Sequence, residues 1–357
     1  MTDGAPERAA VLDRPLLPAR TRRNRPRNWL IAAGLILLVA GAWFSVATVD
    51  PESNTDLLNL LRLTADEIAR LRWQFLLIVV ALAVLHYVAT AVAARAASGL
   101  SLRMRELFLV QLAAAAANRL TPGGLGGSAL TARYFNRRGM DLPAAIGAVS
   151  ALAVLSALSN FLVLCAVVGI GSWLGLHGSG KEIHTLLSHV TGLLGQARSP
   201  WLWLAVPVAV ALVLGVLQVV RRRSGRRLDW ARMLVPVREL GREPYRLLTL
   251  VLASGCTTLI LGFAFVATTV MVPGQAPTVG VGTLLLAFML GSAAGSAIPI
   301  PAGLGSSEAA YIAVLLSVNV PGTQAVEEVL IFRLLTFWIP AAVGVLAIGY
   351  LRRRRAV

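Results

Sequence analysis

Apolar residues in this chain run in long blocks rather than in alternation with polar ones. Six blocks, Trp29–Val49, Trp73–Ala94, a stretch within Leu142–Leu176, Trp201–Val220, Leu247–Met271 and Val329–Gly349, carry few or no charges. Each reaches the roughly 20 residues that a helix needs to cross a bilayer, so the pattern predicts six membrane spans in an all-α, polytopic protein. The first block is too long for a signal-peptide core and lacks an Ala-x-Ala end, so it reads as an uncleaved helix.

Two further apolar stretches are interrupted. Leu107–Ala117 runs into Asn118-Arg119-Leu120-Thr121-Pro122-Gly123-Gly124-Leu125-Gly126-Gly127 and resumes to Arg138. Thr283–Ile298 runs into Pro299-Ile300-Pro301-Ala302-Gly303-Leu304-Gly305 and resumes over Ser306–Val318. At about 1.5 Å per residue each arm is shorter than the ~30 Å hydrocarbon core. A Pro/Gly break at membrane depth is tolerated only where protein or a water-filled cavity surrounds it. The two stretches therefore read as re-entrant helical hairpins.

The breaks also match each other. Pro122–Ser128 and Pro301–Ser307 agree at five of seven positions and lie 179 residues apart. The flanking spans follow the same offset. Each half then holds three crossings and one hairpin; three is odd, so the second half is inverted. The pattern resembles transporters built from inverted repeats, with a site between broken helices near the midplane. The expected organisation is a disordered basic tail over 1–28, a first membrane repeat over 29–176, an external linker over 177–200, a second repeat over 201–350 and a basic tail over 351–357.

Composition agrees, with 57% hydrophobic and 14% charged residues in 357 and a mean hydropathy of +0.72. The net charge is +16, and every basic residue but Lys181 is arginine. With the N-terminus inside, 26 basic residues fall on the cytoplasmic side and 5 on the opposite side, which places both termini in the cytoplasm. Spread over every inner loop, this charge indicates orientation and anionic headgroups rather than nucleic acid. Cys165 and Cys256 lie in apolar runs and read as small buried side chains. No cofactor or metal cluster is indicated.

Arg119 and Arg333 remain inside apolar stretches, which makes them functional candidates. A helix restarting after a Gly-rich turn offers free N–H groups and a positive dipole end, so the two breaks suggest an anion site. The expected set is Arg119, Arg133, Arg333, Glu308 and Asn118, with Gly124, Gly126, Ser128, Gly303, Gly305 and Ser307 at the turns. Glu308 is expected either to hold Arg333 or to exchange a proton. No nucleophile–base pair or paired carboxylates suggest an enzyme.

At both breaks the sequence resembles the lysylphosphatidylglycerol synthase transmembrane region, or flippase-like domain, family. The resemblance rests on Leu120-Thr-Pro-Gly-Gly-Leu-Gly-Gly with Arg133, Arg137, Arg138 and Gly139, and on Ile300-Pro-Ala-Gly-Leu-Gly-Ser-Ser-Glu308 with Val320, Arg333 and Pro340. It implies a lipid translocase of the bacterial cytoplasmic membrane for an anionic or phosphate-bearing lipid, such as an aminoacyl-phosphatidylglycerol or a polyprenyl-phosphate-linked lipid. The short tail after the last span is read as lacking the aminoacyltransferase domain of two-domain members. Membrane lipids are the expected partners, with a lipid-modifying synthase or transferase and a homo-oligomer also considered. The rival readings are a secondary transporter of a small soluble anion and a non-transporting partner of a lipid-modifying enzyme.

Overall fold

Unbroken apolar sequence with few internal prolines folds into long helices, because a backbone in hydrocarbon must satisfy its own hydrogen bonds. The computed structural model describes residues 71–121, 125–173, 230–272, 279–297 and 305–354. All regular structure among them is helical: α1 (Gln74–Ser98), α2 (Met104–Leu120), α3 (Leu125–Arg137), α4 (Leu142–Trp173), α5 (Trp230–Arg242), α6 (Pro244–Met271), α7 (Val281–Ala297), α8 (Ser306–Ser317), α9 (Gly322–Arg333), a π turn (Leu334–Trp338) and α10 (Ile339–Arg353). Four stretches are long and apolar enough to cross a membrane: α1, most of α4, α6, and the continuous run from Gly322 to Arg353. The last begins seven residues before the expected 329, directly after Pro321 at the α9 N-cap. The expected spans at 29–49 and 201–220, both tails and the external linker lie outside the described residues.

The interrupted stretches form two pairs of short helices, α2 with α3 and α7 with α8, and each pair packs together. At 17, 13, 17 and 12 residues these helices extend about 18–26 Å, short of the hydrocarbon thickness. Glycine allows the close approach within each pair. A Cβ on Gly127 would lie 2.5 Å from the Ala114 carbonyl oxygen, and one on Gly295 would lie 2.7 Å from the Ser307 Cα. A Cβ on Gly291, one turn earlier, would lie 2.6 Å from the Tyr311 ring of α8, so both glycines of Gly291-x3-Gly295 serve contact between the arms of the second pair.

Two cores hold the helices. One collects α6–α9 around Phe265, Phe288, Tyr311 and Phe332, whose ring centroids stand 5.2–5.8 Å apart in every pairing. The other joins α2, α3 and the start of α4 to the end of α10, using alanines together with Leu107, Tyr134 and Phe135. α1 and α6 pack against each other between them. At one edge, Glu106 accepts hydrogen bonds from Tyr134 and Arg138. The outward faces of α1 and α4 carry exposed Leu77, Ile78, Phe161 and Leu162, surface that suits lipid rather than water. Cys165 and Cys256 are on the exterior too, against the expectation of burial. The reason is that lipid accepts an apolar side chain as readily as a protein core does.

Candidate functional site

Three of the short helices, α2, α7 and α8, meet α1, α6, the end of α9 and the π turn around a cavity of about 500 Å³. From α1 come His86, Tyr87 and Thr90, which helical spacing places on one face. From α2 come Gln111, Asn118 and Arg119, with Ala114 and Ala115 leaving the space between them open. Phe288, Ser292 and Tyr311 close one side, and Phe332, Arg333, Thr336 and Phe337 close another. The side chains that shape the site thus come from both halves of the chain.

Its electrostatic centre is a pair of arginines on one ring. The Arg119 guanidinium carbon stands 3.8 Å from the centroid of Phe337, and that of Arg333 stands 3.7 Å from the same centroid. A ring face attracts a desolvated guanidinium, which offsets part of the repulsion between the two cations. Phe337 belongs to the π turn, and such turns recur at functional sites. From that turn the Thr336 hydroxyl donates back to the Phe332 carbonyl of α9 at 2.6 Å.

Each arginine has a different support. Arg333 donates through Nε to Glu308 at 2.7 Å, and both side chains are about nine-tenths buried. The other Glu308 oxygen accepts from the Gly305 N–H at 2.9 Å, which caps α8. Arg119 makes no ion pair among the described residues, and the neutral Tyr87 lines the cavity with it. Among the described residues, then, one carboxylate accompanies two guanidiniums. Three buried donors at the cavity have no partner among the described residues: Arg119 Nε, Arg333 Nη2 and Gln111 Nε2. Leaving such a group unmade costs about 1–3 kcal/mol, more for a charged one. The arrangement therefore favours a ligand rich in acceptors and negative in charge.

Of the residues singled out in the sequence, Arg119, Arg333 and Asn118 line the cavity, and Glu308 stands behind Arg333. Others are placed differently. The N–H of Gly126 donates to Thr121 Oγ1 at 2.8 Å, and that of Gly127 to Asn118 Oδ1 at 2.6 Å. With the Gly305 amide taken by Glu308, these three turn amides are already satisfied within the chain. The open donors at this site belong to side chains. Ser307 packs against Gly295, and Ser128 and Arg133 are exposed and do not line the cavity. Arg133 therefore does not join Arg119 and Arg333, because the register of α3 turns it outward. Gly124 and Gly303 lie outside the described residues.

Tyr87, Gln111 and Phe337 were not picked out by sequence reasoning. Gln111 had a detectable signal: it is the polar member of an alanine- and leucine-rich run, seven residues before Asn118 and hence on its helical face. Phe337 had none, since one aromatic residue in an apolar span is unremarkable until the fold brings the arginines to it.

No curated protein matches the chain. The family model described as the lysylphosphatidylglycerol synthase TM region matches residues 29–344, and with its long apolar helices the chain is a multi-pass membrane protein belonging to that lipid-related family.

Proposed function

We propose that this protein is a translocase that moves an anionic or phosphate-bearing lipid between leaflets of the bacterial cytoplasmic membrane, with both termini inside. The observation that carries this reading is the set of donors on Arg119, Arg333 and Gln111, unpartnered among the described residues, around one cavity. A phosphate offers several acceptor oxygens and a negative charge, and guanidinium geometry matches it. The headgroup would occupy the cavity while the acyl chains remain in lipid.

The order of elements supports an inverted-repeat mechanism. α1, the α2–α3 pair and α4 recur as α6, the α7–α8 pair and the α9–α10 run, and each half contributes one of the paired arginines. In this reading the pairs α2–α3 and α7–α8 are re-entrant hairpins whose alternate movement exposes the arginines to either leaflet. Six spans follow when 29–49 and 201–220 are counted, and transport rather than catalysis is the activity.

The test is transport of a fluorescent anionic phospholipid in proteoliposomes. Arg119→Gln and Arg333→Gln should each slow movement by tenfold or more, about 1.4 kcal/mol. Rates equal to the parent's would overturn the assignment. Movement of a soluble anion without lipid movement would support the solute-transporter reading, and co-purification of a synthase with no transport would support a partner role.

A further inference from the structure

Glu328 stands apart from the site just described. It lies in α9, five residues before Arg333, and is 1% exposed, deeper than either member of the Arg333–Glu308 pair. Gln324, one turn earlier, donates through Nε2 to Glu328 Oε1 at 2.9 Å. The other oxygen, Oε2, is buried and has no donor among the described residues. Glu328 makes no ion pair among them either. The elements packed on α9 are α6, α8 and the π turn. From α6, Thr269 stands beside the carboxylate, and no charged residue occurs between Gly255 and Met271. The Thr269 hydroxyl donates to the Phe265 carbonyl of its own helix at 3.2 Å, so toward Glu328 its oxygen can only accept. From α8 the titratable groups are Tyr311 and Glu308, the latter held by Arg333 and Gly305. The π turn and α7 have none. On α9 itself are Arg333 and the half-buried Glu327. Arg72, whose N–H bonds to the Met271 carbonyl at the end of α6, is exposed. The connection over 272–280 and the expected spans at 29–49 and 201–220 contain no Lys or Arg in sequence.

We propose that Glu328 is a proton-binding site, and that its proton and the anion held by Arg119 and Arg333 bind together. The site rests on the geometry of Glu328; its linkage rests on the translocase reading and deepens it. An ionised carboxylate without a cation is costly in such surroundings, whereas the neutral acid can donate from Oε2 to the Thr269 oxygen. An ionisable intramembrane group left unpaired is a functional candidate by default. Glu308 cannot take this role, because both of its oxygens are engaged. The sign of the linkage follows from charge. Five residues of helix separate Glu328 from Arg333 by about 7.5 Å along the axis, so an ionised Glu328 repels an anion arriving there. Protonation removes the repulsion and, reciprocally, the bound anion favours the proton. At about 10 Å and an effective dielectric constant of about 20, the coupling is on the order of tenfold in affinity. Water is near: α9 begins at the exposed Gly322 and Thr323, about 9 Å of helix from Glu328. A proton travelling with each monoanionic lipid makes the joint movement electrically neutral.

Native mass spectrometry of the full chain in nanodiscs measures retention of phosphatidylglycerol, whose phosphodiester keeps one negative charge from mildly acidic to mildly alkaline pH. Across that range the parent should lose retention on the order of tenfold. Glu328→Gln fixes the neutral state and should keep the acidic-pH retention throughout, while Glu328→Asp should restore the slope. Parallel slopes in the parent and Glu328→Gln overturn the linkage, as does a slope abolished by His86→Gln instead. Retention that follows sodium at fixed pH overturns the proton in favour of a metal cation. Infrared difference spectra between acidic and alkaline pH supply a readout that needs no lipid. The parent should show the C=O band of a protonated carboxyl group, absent in Glu328→Gln. If the parent shows no such band, the proton site is overturned, whether or not the variant assembles. If the parent retains no anionic lipid at any pH, the translocase reading and the linkage fall together, and a titrating Glu328 band still establishes the proton site.

Discussion

Glu308 has both carboxylate oxygens engaged, one by the Arg333 Nε and one by the Gly305 amide. Its effect is to fix Arg333 beside the Phe337 ring and to begin α8 at the same time. Glu308→Gln keeps the shape but removes the charge, leaving a buried guanidinium without a counter-ion. A loss of about 3–5 kcal/mol in stability should follow, read as a fall in thermal midpoint in detergent. Glu308→Gln combined with Arg333→Met removes the orphaned cation and should recover most of that loss. Single and double variants of equal stability would show that the pair does not act as a unit. Arg119 has no carboxylate partner among the described residues and shares the cavity wall with the neutral Tyr87, so Tyr87→Phe should alter how its guanidinium is held and loosen anion retention by about three- to tenfold. The charged members of this cluster were legible in the sequence because a charge in an apolar stretch has no ordinary solvent-facing explanation. Tyr87 and Phe337 were not, because their role is relational: each matters for the cation beside it, and that placement depends on three-dimensional register.

The short helices are defined by what they cannot do. None is long enough to span alone, so each pair relies on tight contact between its arms. Gly127 and Gly295 mark close contacts of this kind, and a side chain at either would meet backbone first, at Ala114 O and Ser307 Cα, as well as the Asn118 and Ser307 side chains. Gly127→Ala and Gly295→Ala should each cost about 1–3 kcal/mol of stability. Gly169, in α4, has no atom within 4 Å of an added Cβ, and Gly169→Ala should be neutral or stabilise by up to about 1 kcal/mol. Thermal melts of the three variants in one detergent check the contrast; equal effects would mean that helix propensity and not packing governs these positions. At this scale the sequence located the breaks well, since proline and glycine have local consequences. It misjudged where the breaks' donors go. Asn118 and Thr121 are side chains of the incoming arm that reach the first amides of the returning arm, and only the folded pair brings them within 2.6–2.8 Å.

Across the whole molecule, each of the two larger cores draws on both halves of the chain, and the candidate site also lies where elements of both halves meet. The arginine distribution gives a topology that can be checked directly. In a variant lacking the native cysteines, Ser53→Cys should react with an impermeant maleimide from outside intact cells, and Ser224→Cys only after the membrane is opened. The reverse pattern would invert the orientation. The native Cys165 and Cys256, exposed on lipid-facing helices, should remain unreactive in the bilayer because thiolate needs water. The sequence by itself determined the helical membrane class, the places where helices break, the charge asymmetry and the two intramembrane arginines. These are composition and local stereochemistry, which do not depend on neighbours distant in the chain. Only the tertiary structure decided that Arg119 and Arg333 share one ring, that Arg133 turns away, that the turn amides of Gly126, Gly127 and Gly305 are already bonded, and that the cysteines face outward. In a chain this apolar, hydrophobicity cannot distinguish a core face from a lipid face, so which side chains meet is settled by helix packing alone.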